Sequence, residues 1–338
     1  MHRPADLSRW HGRIDADEGP RALRWHQVVR PLTDGAASAR PLVEGPRSAA
    51  PALLGFACDE GVARNQGRAG AVEGPLALRR ALAGLAWHGA AAPWDAGDVL
   101  VEEEALEDAQ AELGAHVARL LSGGHLPLVL GGGHEVAYGS FLGLAAHLSA
   151  GGLAGRGAAP GESGGSPVVA VVNLDAHLDL RVGRASSGTP FRQIAEACAT
   201  RGWPFRYLCL GLDEASNTAA LLDTAARLGA RWRRDRDCTP ARLGEVRAAL
   251  AATLDGADAV HLTVDLDALP SAVAPGVSAP AARGLALEVV EAVLDDVLVS
   301  GKLRLFEVAE LCPRLDVDGR TARVAARLVD QIARAPRG

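Results

Sequence analysis

The sequence predicts an α/β protein, a three-layer α/β/α sandwich with a mostly parallel central sheet. Three observations lead there. Apolar runs of strand length alternate with amphipathic segments of helix length. The runs are apolar on both faces, as strands covered by helices on each side must be. Residues with ligand chemistry gather directly after the runs, at the carboxyl edge where open parallel sheets form their sites.

In chain order, PALLGFA (51–57) and LPLVL (126–130) read as strands. PVVAVVNL (167–174), FRYLCLGL (205–212), AVHLTVDL (259–266) and KLRLFEVAEL (302–311) follow. Helical periodicity fills the intervals: GPLALRRALAGLA (74–86), EEALEDAQAELGAHVARLL (103–121), EVAYGSFLGLAAHLS (135–149) and FRQIAEACATR (191–201). SNTAALLDTAARLG (216–229), TPARLGEVRAALAATL (239–254), LEVVEAVLDDVLV (287–299) and a last helix near 319–333 complete the set. Two stretches stand outside this rhythm. Residues 1–50 show no period and are expected to form an N-terminal arm packed on a main domain of residues 51–338, or to contact a partner subunit. The Gly/Pro/Ser-rich stretch 150–167 reads as a flexible loop.

At 338 residues and 48% hydrophobic composition the chain can bury a sizeable core. A net charge of −6, with no dense basic tract, argues against nucleic acid and anionic membrane as partners. Lys302 is the single lysine among many arginines, a compositional bias rather than a functional mark. The five cysteines are odd in number and lack CxxC spacing, so buried free thiols are expected rather than disulfides or a zinc ribbon. MHRPADLSRW lacks an apolar signal core, and no apolar run approaches the ~18–20 residues of a membrane span, so the expectation is a cytoplasmic protein.

The chemistry concentrates in three places. VVNL runs into Asp175-Ala-His177-Leu-Asp179, and alternate residues of an extended segment project to one side. Close carboxylates of this kind need a cation or a shared proton. LPLVL ends in Gly-Gly-Gly-His134-Glu135, and AVHLTV ends in Asp265-Leu-Asp267. The triple glycine lacks the GK[ST] and GxGxxG spacings of phosphate-binding turns. His134, Asp175, His177, Asp179, Asp265 and Asp267 together offer four carboxylates and two imidazoles, a set hard enough to favour Mn²⁺ over zinc or copper. Six ligands suit two ions sharing carboxylates, and a binuclear centre without redox chemistry points to hydrolysis.

GGGHE, DAHLD and TVDLD, in this order and each after a strand, resemble the metal motifs of the arginase/agmatinase (ureohydrolase) family, and the likeness runs from about Leu54 to the last helix. The resemblance implies an arginase-like fold and two Mn²⁺ per subunit. The first ion would be held by His134, Asp175, Asp179 and Asp265, the second by Asp175, His177, Asp265 and Asp267. It further implies that Glu310 binds the cationic amidinium or guanidinium group of a substrate, and that Asp179 carries a proton from a metal-bridging hydroxide to the leaving amine. Homo-oligomerisation is a family expectation. Three departures set the chain apart from arginases proper: GGGHE in place of a GGDHS-like motif, no histidine beyond Ser186–Phe191, and Ala-Leu-Pro after Asp267. They agree with the formimidoylglutamase branch, which acts in histidine degradation. Its pattern is similar to GVARNQGRAGAVEGP (61–75), SSGTPFRQ (186–193), DEASNT (213–218), LPSAVAPGVSAPAARG (269–284) and the early WHGRIDADEGPRALRWHQ.

That branch implies hydrolysis of N-formimidoyl-L-glutamate to L-glutamate and formamide. A dianionic substrate on an acidic protein needs local arginine forks. Arg64, Arg68, Arg181, Arg184 and Arg192 are the candidates, with Asn65, Ser187 and Asn217 as weaker polar ones. Another ureohydrolase, a guanidinobutyrase or agmatinase, is the nearest alternative. A non-catalytic metal-binding protein on the same fold is the alternative of another class.

Overall fold

The computed structural model describes residues 1–19, 21–33, 50–152 and 166–335. Most of the Gly/Pro/Ser-rich stretch and residues 34–49 of the expected arm lie outside the described residues. Among the described residues ten strands form one sheet: β1 (His2–Arg3), β2 (Arg30–Pro31), β3 (Pro51–Ala57), β4 (Trp94–Leu100), β5 (Leu126–Leu130), β6 (Val169–Leu174), β7 (Arg206–Leu212), β8 (Arg231–Arg234), β9 (Ala259–Asp265) and β10 (Leu303–Ala309). The order is β1-β4-β3-β5-β10-β9-β6-β7-β8, with β2 also on β4. Only the β1–β4 pairing is antiparallel among the described strands.

Ten α-helices among the described residues accompany the sheet, including the short α1 (Trp25–Val28) and α2 (Glu60–Arg64) and the longer α7 (Ala219–Arg227). Each face carries a helical layer because adjacent strand residues serve opposite sides of the sheet. Leu53, Leu128, Val172 and Leu262 pack with α3 (Gly74–Ala83), α8 (Leu243–Leu254), α9 (Leu287–Val299) and α10 (Arg320–Arg334). Their neighbours Leu54, Val129 and Val171 belong to the other core, with α4 (Leu106–Ser122), α5 (Val136–Ser149) and α6 (Pro190–Arg201). The six predicted strands and eight predicted helices are all present, with ends moved by a few residues where helices fray into turns. All five cysteines are free and buried. No described helix is long and apolar enough to cross a membrane.

The sheet is wider than predicted. In β4, WDAGDVL breaks the apolar pattern with two aspartates and a glycine, yet its centre is buried. Arg79 on α3 resolves this, donating through Nε and Nη2 to Asp95 at 2.9 Å each and through Nη1 to Asp98 at 2.5 Å. β8 is a second addition, an edge strand of sequence RWRR whose charges suit an unpaired edge. β1 and β2 run along the outer side of β4. Trp10 donates its indole N–H to Asp95 at 2.8 Å, and fully buried Trp25 donates to Asp330 of α10 at 2.8 Å.

Candidate metal centre

Four neighbouring parallel strands, β5, β10, β9 and β6, bring their carboxyl ends to one edge. His134 follows β5, Glu310 follows β10, Asp265 ends β9 with Asp267 just beyond, and Asp175, His177 and Asp179 follow β6. The turn at Gly132 is tight because its backbone must approach another strand end. A Cβ there would sit 1.8 Å from the Cys58 carbonyl oxygen, and the Gly132 carbonyl accepts from Glu310 N at 2.8 Å. Asp179 and Glu310 both hold positive φ, at 50° and 68°, a conformation unusual for non-glycine residues and common where function fixes the backbone.

His134 Nδ1 lies 3.1 Å from Asp175 Oδ2, 3.0 Å from Asp179 Oδ2 and 3.1 Å from Asp265 Oδ2. Its Nε2 is 2.9 Å from the Thr263 hydroxyl. Nδ1 is fully buried yet makes no hydrogen bond of acceptable geometry to any of the three carboxylates. One nitrogen facing three carboxylate oxygens at near-equal distance is a donor set arranged around a common point, as a cation requires. Beside it, His177 Nδ1 lies 3.0 Å from Asp267 Oδ2 and 3.5 Å from Asp175 Oδ1. The ligand atoms form two groups, His134, Asp175, Asp179 and Asp265 in one and Asp175, His177 and Asp267 in the other. Asp175 is common to both. Asp265, which the resemblance shares between the two ions, falls in the first group alone; its Oδ1 accepts from Asp267 N at 2.8 Å.

The electrostatics agree with the geometry. Burial opposes a charged imidazole at His134, but Asp175, Asp179 and Asp265 outweigh it and raise its pKa well above the usual value. Burial, then Asp267 and Asp175, push Asp265 up. Burial and Asp175 lift Asp179 to about 6. Burial, Glu135 and Asp267 lift Glu310 to about 8. These carboxylates hold their charges together only with positive charge among them.

Hydrogen bonds fix the ligand loops. Asn173 Nδ2 donates to Asp175 Oδ2 at 2.8 Å and is 3.0 Å from the Tyr207 hydroxyl. Asn217 accepts from Leu178 N at 3.0 Å and donates to the carbonyls of Ala176 and Asp213 at 2.9 and 2.8 Å, so its amide braces the DAHLD backbone. Glu310 Oε1 accepts from His134 N at 3.0 Å, while Oε2 is buried without a partner.

The ligands open into a cavity of about 330 Å³. Of the residues expected to meet substrate, Asn65, Arg68, Arg181, Ser187, Asn217 and Glu310 line it. Arg64, Arg184 and Arg192 are engaged elsewhere. Arg64 pairs with Glu60 and Glu107 at 2.7 and 2.8 Å, and Arg184 is 3.7 Å from Glu104. Arg192 donates to the carbonyls of Arg181 and Gly183 and pairs with Glu196, bracing the loop that presents Arg181. Arg68 is itself tied to the carbonyls of Ser278 and Val277 at 2.8 Å each. Gln66 and Ser278 also line the cavity, although no sequence signal singled them out. Glu135 sits immediately behind the site, accepting from the Cys58 thiol at 3.0 Å and Gly61 N at 3.2 Å.

Comparison with known proteins places this arrangement. Residues 49–334 match the Arginase family. The chain belongs to that family. It is 53% identical to a formimidoylglutamase of Ralstonia nicotianae, over 98% of this chain and 96% of that one. It is 50% identical to a formimidoylglutamase of Aeromonas hydrophila, over 97% and 98%. Among solved structures, the formimidoylglutamase of Bacillus subtilis superposes with a TM-score of 0.76 at 20% identity, covering 96% of this chain and 93% of that one. That likeness bears on the fold. A Trypanosoma cruzi formiminoglutamase solved with two Mn²⁺ superposes with a TM-score of 0.69 at 25% identity, covering 87% and 95%. The arginase-family fold, its mostly parallel sheet and its two His/Asp clusters are therefore features of this chain.

Proposed function

We propose that this protein is a formimidoylglutamase that hydrolyses N-formimidoyl-L-glutamate to L-glutamate and formamide. The observation that carries the reading is the convergence of His134 Nδ1 with three carboxylates beside the Asp175–His177–Asp267 group, on the floor of a cavity with two arginines. Relatives about half identical over nearly the whole chain bear that name.

The six ligands suit two Mn²⁺ by the hardness of their oxygen-rich set, and the Trypanosoma cruzi relative was solved with that metal. When bound, such ions lower the pKa of a coordinated water toward neutrality and so supply a nucleophile. Glu310 lines the cavity and keeps its buried Oε2 without a partner, an acceptor for an amidinium N–H that orients the formimidoyl carbon. Asp179 takes the proton of the attacking water and returns it to the glutamate nitrogen. The new bond joins water oxygen to the formimidoyl carbon. The bond broken joins that carbon to the amino acid nitrogen. Arg68 and Arg181 offer cations to the two substrate carboxylates from the cavity wall. All six ligands come from one chain, so each subunit of a homo-oligomer would carry a complete centre.

The test is turnover of N-formimidoyl-L-glutamate by chelator-stripped protein with and without added Mn²⁺, beside arginine, agmatine and 4-guanidinobutyrate. Formamide and glutamate appearing in equal amounts, and only with metal, is the expected result. Turnover of a guanidine compound instead would move the protein to another ureohydrolase branch. Two bound metals with no turnover of any of the four would reduce it to a metal-binding protein.

A further inference from the structure

Below the ligands, the sheet holds a second row of polar side chains that the chemistry above does not use. Side chains two apart on a strand share a face. Asn173 therefore lies one step beneath Asp175, and Thr263 one step beneath Asp265. Register places Asn173 opposite Thr263 and Thr263 opposite Glu307, so the three form a transverse row across β6, β9 and β10. All three are 0% exposed, in strands whose other inward residues are largely apolar.

Buried polar groups are costly unless partnered, so the partners are informative. Asn173 spends its amide on the ligand Asp175. Thr263 meets the far nitrogen of the ligand His134 at 2.9 Å. Glu307 Oε1 is 2.9 Å from His261 Nε2, and its Oε2 is buried without a partner. Burial raises the Glu307 pKa, but His261, then the Ser140 hydroxyl, outweigh it and hold the carboxyl below its usual range.

We propose that Asn173, Thr263 and Glu307 form a positioning layer for the first cation, in which Thr263 keeps the His134 proton on Nε2 and so turns the Nδ1 lone pair toward the carboxylates. An imidazole ligates through the nitrogen that lacks a proton, and the bond made by its other nitrogen selects which one that is. A hydroxyl accepting from Nε2–H has its own proton to place. Glu307, its register neighbour, carries a free buried oxygen and a negative charge on that side. Asn173 does for Asp175 what Thr263 does for His134. His177 takes no part in the row, and Asn173 meets the shared Asp175 at Oδ2, the oxygen that faces His134, so the layer acts chiefly on the first group.

This inference rests on the reading that the two groups hold cations, and the experiment separates the two. Mn²⁺ uptake by the full-length protein is titrated calorimetrically and by electron paramagnetic resonance of the loaded protein, for wild type, Thr263→Val, Thr263→Ala, Thr263→Ser and Glu307→Gln. Wild type is expected to take up two ions. Thr263→Val and Thr263→Ala should weaken one of the two by about 10–100-fold and leave the other unchanged; either variant suffices if the other does not fold. Thr263→Ser should restore the affinity, and Glu307→Gln should weaken the same site as Thr263→Val, with less than additive loss in the double variant. Two sites of wild-type affinity in folded Thr263→Val or Thr263→Ala would overturn the layer while leaving the centre intact. No uptake by wild type would overturn the centre itself, and the layer with it.

Discussion

Arg181 shows how much a residue's role depends on what surrounds it. It lines the cavity from an exposed loop, and no other side chain occupies its guanidinium among the described hydrogen bonds and ion pairs. Arg64, immediately before Asn65 of the cavity wall, is consumed by Glu60 and Glu107. If Arg181 meets a substrate carboxylate, replacing it with alanine removes a charged hydrogen bond worth about 1.5–3 kcal/mol. Arg181→Ala should then raise KM for N-formimidoyl-L-glutamate by about tenfold or more with a smaller change in kcat. Steady-state kinetics read this directly, and an unchanged KM would remove Arg181 from the binding site. The metal-type ligands were legible one by one because each stands at a strand end in a short contiguous motif. Asn173, Thr263 and Glu307 were not picked out, although each is a polar interruption of an apolar strand two or three positions before a site residue.

Elements carry a different constraint, the closeness of backbones. β5 leads into α5 through three glycines, and at the second the chain passes against Cys58 after β3. Gly132→Ala would force a methyl group into that carbonyl, and overpacking of this kind costs about 1–3 kcal/mol. Because the same turn carries His134 and accepts from Glu310 N, the strain should also reach the first cation site. Urea unfolding and Mn²⁺ stoichiometry check both effects. A variant with wild-type stability and two bound metals would show that the turn has slack. Motifs gave the position of this turn correctly, but the need for glycine at its centre comes from a chain 74 positions away. The β4 strand is the reverse case. Its aspartates hid it from a reading based on apolar runs, and Arg79 on α3, with Trp10 and Arg3 beside it, makes their burial tolerable.

For the molecule as a whole, that buried cluster is the most exposed weakness. Removing Arg79 leaves buried Asp95 without a cation and Asp98 with Arg3 alone, at 2.7 Å, and breaking a buried pair costs about 3–5 kcal/mol in comparable sites. Arg79→Ala should lose about that much in chemical unfolding, and a loss under 1 kcal/mol would show that the carboxylates find other partners or water. The acid side follows from linkage. Burial raises the Asp98 pKa, but Arg79, then Arg3, outweigh it and hold the folded value below the ordinary 3.8. A carboxyl depressed on folding contributes stability that is fully present above its unfolded pKa and disappears as pH falls through the folded one. Wild-type stability should therefore fall as pH drops below about 4, and Arg79→Ala, which keeps only Arg3 beside Asp98, should show a weaker dependence there. Unfolding free energies measured between neutral pH and pH 3 decide it.

By itself the sequence determined the layering, the six central strands and the motifs that place the six His/Asp residues of the candidate metal centre at one sheet edge. Those features depend on periodicity and on short contiguous segments, which the local order of residues contains in full. Tertiary structure alone decided which arginines face the cavity, that Asn217 braces backbone, that Arg79 completes β4, and that a buried polar row lies beneath the His/Asp clusters. Each of these is a pairing between residues tens to hundreds of positions apart. Local propensity carries no term for such pairs; they exist only once parallel strands bring distant segments into register.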